Sequence, residues 1–220
     1  MVFDVQLSDR ICDGFERMSD VHLPMLGTHN AQNCLAAIAV ALEMNVAPDR
    51  IIQCLTKFGG VGRRFDKKGV SQGVTVIDDY GHHPVEIKAA LQAGRMLCAD
   101  NKLVAVVQPH RYSRLYNLFA DFCACFNDAD EVLVADVYAA GETPIQGANK
   151  LALVNGLRDH GHKGSSALES PAHLAAEIAS RTGPGDLVMC LGAGDITSWA
   201  AALPKQLDAI HRSAIKETKK

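Results

Sequence analysis

Four apolar runs, spaced about one strand-plus-helix apart, each break off into a segment rich in histidine, arginine, carboxylate or glycine. Val74 to Ile77 runs into Asp78-Asp79-Tyr80-Gly81-His82-His83-Pro84, and Leu103 to Val107 into Gln108-Pro109-His110-Arg111-Tyr112-Ser113-Arg114. Val132 to Ala135 leads to Asp136-Val137-Tyr138-Ala139-Ala140-Gly141-Glu142, and Leu187 to Leu191 to Gly192-Ala193-Gly194-Asp195. Strands buried on both faces of a parallel sheet read as unbroken apolar runs. In such sheets ligands collect beyond the carboxyl ends of the strands. The pattern therefore predicts an α/β fold with a mostly parallel sheet flanked by helices, and its chemistry along one rim.

At 220 residues the chain has room for one full domain and part of another. A net charge of −3 gives no argument for nucleic acid, and the basic tail, Lys216 to Lys220, reads as a solvated end. No apolar run approaches the ~20 residues that span a bilayer, and the amino terminus lacks a signal-peptide pattern. The expectation is a soluble, cytoplasmic protein without membrane insertion. Seven scattered cysteines with no C-x-x-C pair read as reduced thiols, with Cys34, Cys54, Cys98, Cys123 and Cys190 in apolar surroundings.

The first sixty-odd residues differ from the rest. Val2 to Leu7 and Val21 to Leu23 are strand-like, joined by the polar stretch Ser8 to Asp20. Asn30 to Met44 predicts a helix apolar almost all round, which calls for cover on most of its faces. A second helix is expected from Asp49 to Phe58. From about residue 65 the reading is βαβ throughout. Pro84 suits a first helical position, Ser113 is a candidate cap for the next helix, weaker helical and strand signals lie at 148–160 and 164–168, and Ser170-Pro171 opens a further helix. A last helix follows Asp195 to about Leu203, where Pro204 bends or restarts it.

Several segments admit more than one chemistry. Asn30 and Asn33, three apart at a helix start beside His29, suit the edge of a heterocycle, or merely cap the helix and bond a loop. Arg63 and Arg64 match phosphate geometry or form a solvated hinge. Asp79 can accept ribose hydroxyls and His82 can hold an anion at a helix amino terminus, whereas the same groups also suit a turn and cap. Asp, His82, His83 and His110 raise metal binding as a rival, though adjacent histidines rarely converge on one ion. Arg111 and Arg114 suit a small carboxylate or an exposed salt-bridged pair. No phosphate-binding loop of the form G-x-x-x-x-G-K-[ST] is present.

Taken together, GTHNAQNCLAAIAVA, GVGRRF, IDDYGHHPVEI, QPHRYSRL, ADVYAAGETPI and LGAGDI resemble the Mur ligase family, in the family's order and through essentially the whole chain. QPHRYSR and VYAAGE favour the alanine-adding branch over the tripeptide-recycling one. The resemblance implies that residues 1–64 are the tail of a central ATPase α/β domain, and that 65–220 are the carboxy-terminal Rossmann-like domain. It implies that the amino-terminal domain and most of the central one, with its phosphate loop and Mg2+ ligands, lie outside this chain and are partners it requires. By the same resemblance, His29, Asn30 and Asn33 match the adenine contacts of ATP, Arg64 its phosphates and Asp79 its ribose. Tyr80 and His82 match positions facing nucleotide and substrate, and His110, Arg111 and Arg114 the residues holding L-alanine. His82, His110 and Arg111 are the expected catalytic residues, and no metal ligand is expected here. The implied reaction activates the carboxylate of UDP-N-acetylmuramate as an acyl phosphate, for peptidoglycan precursor synthesis. The alternatives are a self-sufficient module for a small carboxylate or nucleotide, and a metal-dependent hydrolase built on His82, His83 and His110.

Overall fold

In the chain's computed structural model, residues 1–8, 17–25 and 27–218 are described, with the side chains of His29 and of 214–218 outside that description. Most of the polar stretch 8–20, and Lys219 and Lys220 of the basic tail, also lie outside it. Two units are present, Met1–Val61 and Gly62–Lys220.

In the first unit an antiparallel pair, β1 (Val2–Gln6) and β2 (Arg17–His22), accompanies helices α1 (Thr28–Glu43) and α2 (Pro48–Thr56). Met18, Val21, Leu23, Cys34, Ile38, Leu42 and Ile51 form its core. Only one stripe of α1 is used: Leu35, Val40 and Met44 are exposed. The apolar-all-round sequence of α1 thus exceeds the cover its own unit supplies.

The second unit contains a six-stranded sheet in the order β3-β4-β8-β5-β6-β7, with β3 (Asp66–Ser71), β4 (Val74–Asp79), β5 (Leu103–Val107), β6 (Glu131–Val134), β7 (Ser165–Ala167) and β8 (Leu187–Leu191). Every pairing from β4 onward is parallel. Residues alternate between the two faces, as a period of two demands. Leu187, Met189 and Leu191 join Ala105 and Val107 under α3 (Pro84–Cys98), α4 (Tyr112–Asn117), α5 (Phe119–Ala124) and α6 (Lys150–Asp159). Val188 and Cys190 join Val104 and Val106 under α7 (Leu174–Arg181) and α8 (Ile196–Thr218). Each buried Val, Leu or Met among them contributes about 1.5–3 kcal/mol. Gly94 lets α3 lie close on β8, since a Cβ there would meet the Met189 sulfur at 2.4 Å.

The expected mostly parallel α/β fold is present, with departures in detail. The reading of βαβ throughout missed β3, a polar-rich edge strand antiparallel to β4 and joined to it through Gln72 and Gly73, both at positive φ. Ser113 does not cap its helix: Arg111 precedes α4 with φ 72° and no side-chain cap, and Ser113 instead bonds Glu142. The helix itself breaks at Leu118 into α4 and α5. Pro204 neither ends nor restarts the last helix, which runs to Thr218. Leu203 and Leu207 are buried there against the sheet, enough to offset an interior proline's cost of roughly 3 kcal/mol. Cys54, expected in apolar surroundings, is exposed. Among the described residues no helix is long and apolar enough to cross a membrane.

Candidate active-site rim

The two carboxylates closing β4 point to opposite faces. Asp78 is fully buried, accepting from Thr197 Oγ1 at 2.5 Å with Lys68 Nζ at 3.4 Å. Asp79 turns the other way and accepts backbone N–H groups from Phe65 (2.8 Å) and Gly81 (2.7 Å). Only 4% of Asp79 remains exposed, and its carboxylate holds the turn together. That turn presents Tyr80 and His82. Arg63 and Arg64 bring their guanidinium carbons to 4.7 and 5.6 Å from the Tyr80 ring centroid, within cation–π range.

His82 and His83 meet the start of α3. His83 is the cap, its Nδ1 accepting from Val85 N–H at 3.4 Å, with Pro84 next. Glu86 reaches back to accept from the N–H groups of both His82 and His83, each at 3.2 Å. Burial opposes its ionisation, but those donors, with His82 and Arg64 nearby, hold the Glu86 carboxyl below its usual 4.5. Its stabilising contribution is therefore complete above pH 4.5 and disappears as pH falls through the lowered value. We expect Glu86→Ala to cost about 1 kcal/mol near neutrality, and the gap from wild type to shrink toward zero in acid. Urea unfolding at pH 7 and at progressively lower pH checks both points.

The β5 and β6 rim segments pair beyond their strands. Tyr138 N–H donates to Pro109 O at 2.8 Å, and Arg111 N–H donates to Tyr138 O at 2.9 Å. His110 consequently stacks on Tyr138, ring centroids 5.4 Å apart and 11° from parallel. On its other flank the His82 ring stands 5.7 Å away, and His82 in turn packs edge-on to Tyr80. Arg114 Nη1 donates to His110 O (2.9 Å) and lies 3.2 Å from His110 Nδ1. Arg111, half exposed, reaches Glu142 at 3.8 Å, while Glu142 also accepts from Ser113 N–H and Oγ. The Ser113 donors, then the Arg111 charge, keep the Glu142 carboxyl below its usual value.

The loop after β8 closes the row. Arg63 Nη2 donates to the carbonyls of Gly192 and Gly194 at 2.8 and 3.2 Å. Gly194 has room for no side chain, since a Cβ would lie 2.3 Å from Gln108 Oε1 and 2.7 Å from the Tyr138 ring. Gln108 bonds Asp195 Oδ1 and accepts from Ile196 N–H. Between this loop and β6 lies a cavity of about 210 Å³ lined by Gln108, Tyr138, Asp195 and Trp199, among others.

Thus Arg64, Tyr80, His82, His110, Arg111 and Arg114 share one rim of the second unit, with Asp79 beneath it. His29, Asn30 and Asn33 belong to the first turns of α1 in the other unit. There the expected shared face divides: Asn30 is buried and Asn33 exposed, while the side chain of His29 lies outside the described residues. Sequence reasoning missed Tyr138, Glu142 as the partner of Arg111 and Ser113, and Arg63 as the tie to the glycine loop. The stretch VYAAGE was noticed, but nothing local in it discloses a ring stack or a bond to another segment. No group of three or more His, Cys, Asp and Glu side chains converges as a metal site would require, among the described residues.

Residues 63–194 match the family model described as Mur ligase, glutamate ligase domain. The chain belongs to the Mur ligase family. Curated relatives named UDP-N-acetylmuramate–L-alanine ligase include that of Rhodospirillum centenum, 58% identical over 95% of this chain and 43% of the relative, and that of Phenylobacterium zucineum, 60% identical over 91% and 42%. The chain spans less than half the length of these relatives. Among solved structures, the UDP-N-acetylmuramate-alanine ligase of Thermotoga maritima superimposes with a TM-score of 0.71 at 27% identity, over 90% of this chain and 41% of that one. A murein peptide ligase from Psychrobacter arcticus shares the fold at 22% identity and a TM-score of 0.61.

Proposed function

We propose that this Mur ligase chain is the amino-acid-binding part of an ATP-dependent ligase that joins L-alanine to the carboxylate of UDP-N-acetylmuramate, a step of peptidoglycan precursor synthesis in the cytoplasm. The observation that carries this reading is the 58–60% identity to ligases of that name, falling on a chain whose His82, His110, Arg111 and Arg114 occupy one rim. Identity at that level favours alanine addition over tripeptide recycling or a free-standing binding module. Met1–Val61 would then be the tail of the ATP-binding domain, and its exposed α1 side chains Leu35, Val40 and Met44 fit a helix that shares its cover with further protein.

The chemistry divides among residues as follows. Arg111, exposed and lightly held by Glu142, is placed to bind the alanine carboxylate, which a guanidinium matches well. His82 and His110 stand beside it to contact the amine and the developing oxyanion. ATP supplies the activation of the muramic carboxylate. Arg64, facing the Tyr80 ring, fits a nucleotide's phosphates. The described residues do not fit a Mg2+ site, so we assign that ion to the portion of the ligase beyond this chain.

The test is a chimera in which this chain replaces the matching 43% of the Rhodospirillum centenum ligase. We expect ATP-dependent formation of UDP-N-acetylmuramoyl-L-alanine by the chimera and none by the chain alone. A folded chimera that ligates a tripeptide but not alanine, or an isolated chain that ligates unaided, removes the proposal.

A further inference from the structure

The two rim imidazoles have different neighbours at Nδ1, and those neighbours dictate where each ring carries its proton. His82 Nδ1 lies 2.9 Å from the carbonyl oxygen of Tyr80 and 3.5 Å from Glu86 Oε2. Both are acceptors, so this nitrogen must bear the hydrogen. In the neutral ring Nε2 is then the lone-pair nitrogen. His110 is the reverse: Arg114 Nη1 stands 3.2 Å from its Nδ1, and a guanidinium only donates. His110 Nδ1 must accept, and the hydrogen sits on Nε2. Neither Nε2 has a protein partner among the described residues, and neither is sealed from solvent. The rings are 5.7 Å apart.

We propose that the rim holds His82 and His110 as a complementary pair in opposite tautomers, an acceptor at His82 Nε2 beside a donor at His110 Nε2, with Arg114 as the positioning residue that sets the second. The ligand class that matches one acceptor beside one donor is an α-amino acid zwitterion, whose ammonium donates and whose carboxylate accepts. This deepens the alanine reading above and rests on it for the ligand, but not for the tautomers. It also changes the role of Arg114, which acts through His110 rather than on the carboxylate.

The surroundings of His110 favour its neutral form. Burial, then the His82, Arg114 and Arg111 charges, press the His110 value below its ordinary 6.5, and only Glu142 opposes them. Tyr138 stacks on the ring. On the His82 side stand Tyr80 and Glu86, with Arg64 3.9 Å from Glu86. A donor fixed in this way cannot also take a proton at Nε2, so His110 is not the base of the reaction.

The experiment is nitrogen-15 NMR of histidine-labelled 220-residue chain above pH 7, reading the ring coupling patterns. We expect His82 in the Nδ1–H form and His110 in the Nε2–H form. In Arg114→Ala, His110 should relax toward the tautomer mixture of free imidazole and titrate at higher pH, while His82 keeps its pattern. Arg114→Lys, still a donor, should restore the Nε2–H form. The same tautomer on both rings, an Nδ1–H pattern at His110, or a His110 signal unmoved in Arg114→Ala overturns the pair. The wild-type spectrum decides the first two outcomes even where a variant fails to fold. Adding L-alanine separates the layers: tautomers as expected with no change at either Nε2 leaves the pair standing and removes its amino-acid ligand.

Discussion

Phe122→Ala should lower the unfolding free energy of the α/β unit by about 3–5 kcal/mol. Phe122 lies in α5 with no exposed surface, in the cluster that includes Leu115, Phe126, Leu153 and Leu157. The space left behind has little means of closing. Gly156 already brings α6 so near α5 that a Cβ there would stand 2.5 Å from the Cys123 sulfur and 3.0 Å from the Phe119 ring. The helices cannot move inward together, so the cavity persists and its cost adds to the lost transfer energy. Because α4 and α5 carry the segment that holds Ser113 and Arg114, the effect should extend to the rim. Urea unfolding of the chain measures the first consequence. A loss under about 1 kcal/mol would mean that α5 packs far more loosely than the buried cluster implies.

Arg111→Ala, made in the chimeric ligase, should raise the alanine KM by roughly ten- to a hundredfold, since a charged hydrogen bond is worth about 1.5–3 kcal/mol. The alternative account is that Arg111 serves only Glu142, 3.8 Å away. That pair is half exposed and so contributes little. Glu142 also keeps both bonds from Ser113 when Arg111 is gone. A purely structural Arg111 therefore predicts a small change spread over all substrates. An increase confined to alanine, with the KM values for ATP and UDP-N-acetylmuramate unmoved, assigns the residue to the amino acid. An unchanged alanine KM removes it.

What the sequence disclosed follows the range over which its signals act. The four central strands β4, β5, β6 and β8 were legible because burial on both faces leaves unbroken apolar runs. The start of α3 was legible because Pro84 follows a capping residue. Edge strand β3, whose Asp66-Lys67-Lys68 start is polar, left no such mark. The gathering of histidines and arginines at one rim was likewise readable, since each such segment follows a strand. Its internal order was not. The tie between Arg63 and the glycines at 192 and 194 spans about 130 residues of chain, and the ring stack of His110 on Tyr138 joins two separate loops. The Phe65 N–H that donates to Asp79 was equally out of reach of any local signal.

The two backbone bonds that link Tyr138 to Pro109 and Arg111 carry pairing past the ends of β5 and β6, and this makes loop length itself a determinant of the chemistry. Side chains along a paired segment alternate in direction, so one inserted residue between Val107 and His110 would reverse the orientation of everything after it. His110 would then turn its ring from His82 toward the other side of the sheet, although every side chain named here would still be present. A homologue with all the right letters and one extra residue at that point would keep the fold and lose the pairing of His110 with His82 on which the proposed amino-acid site rests.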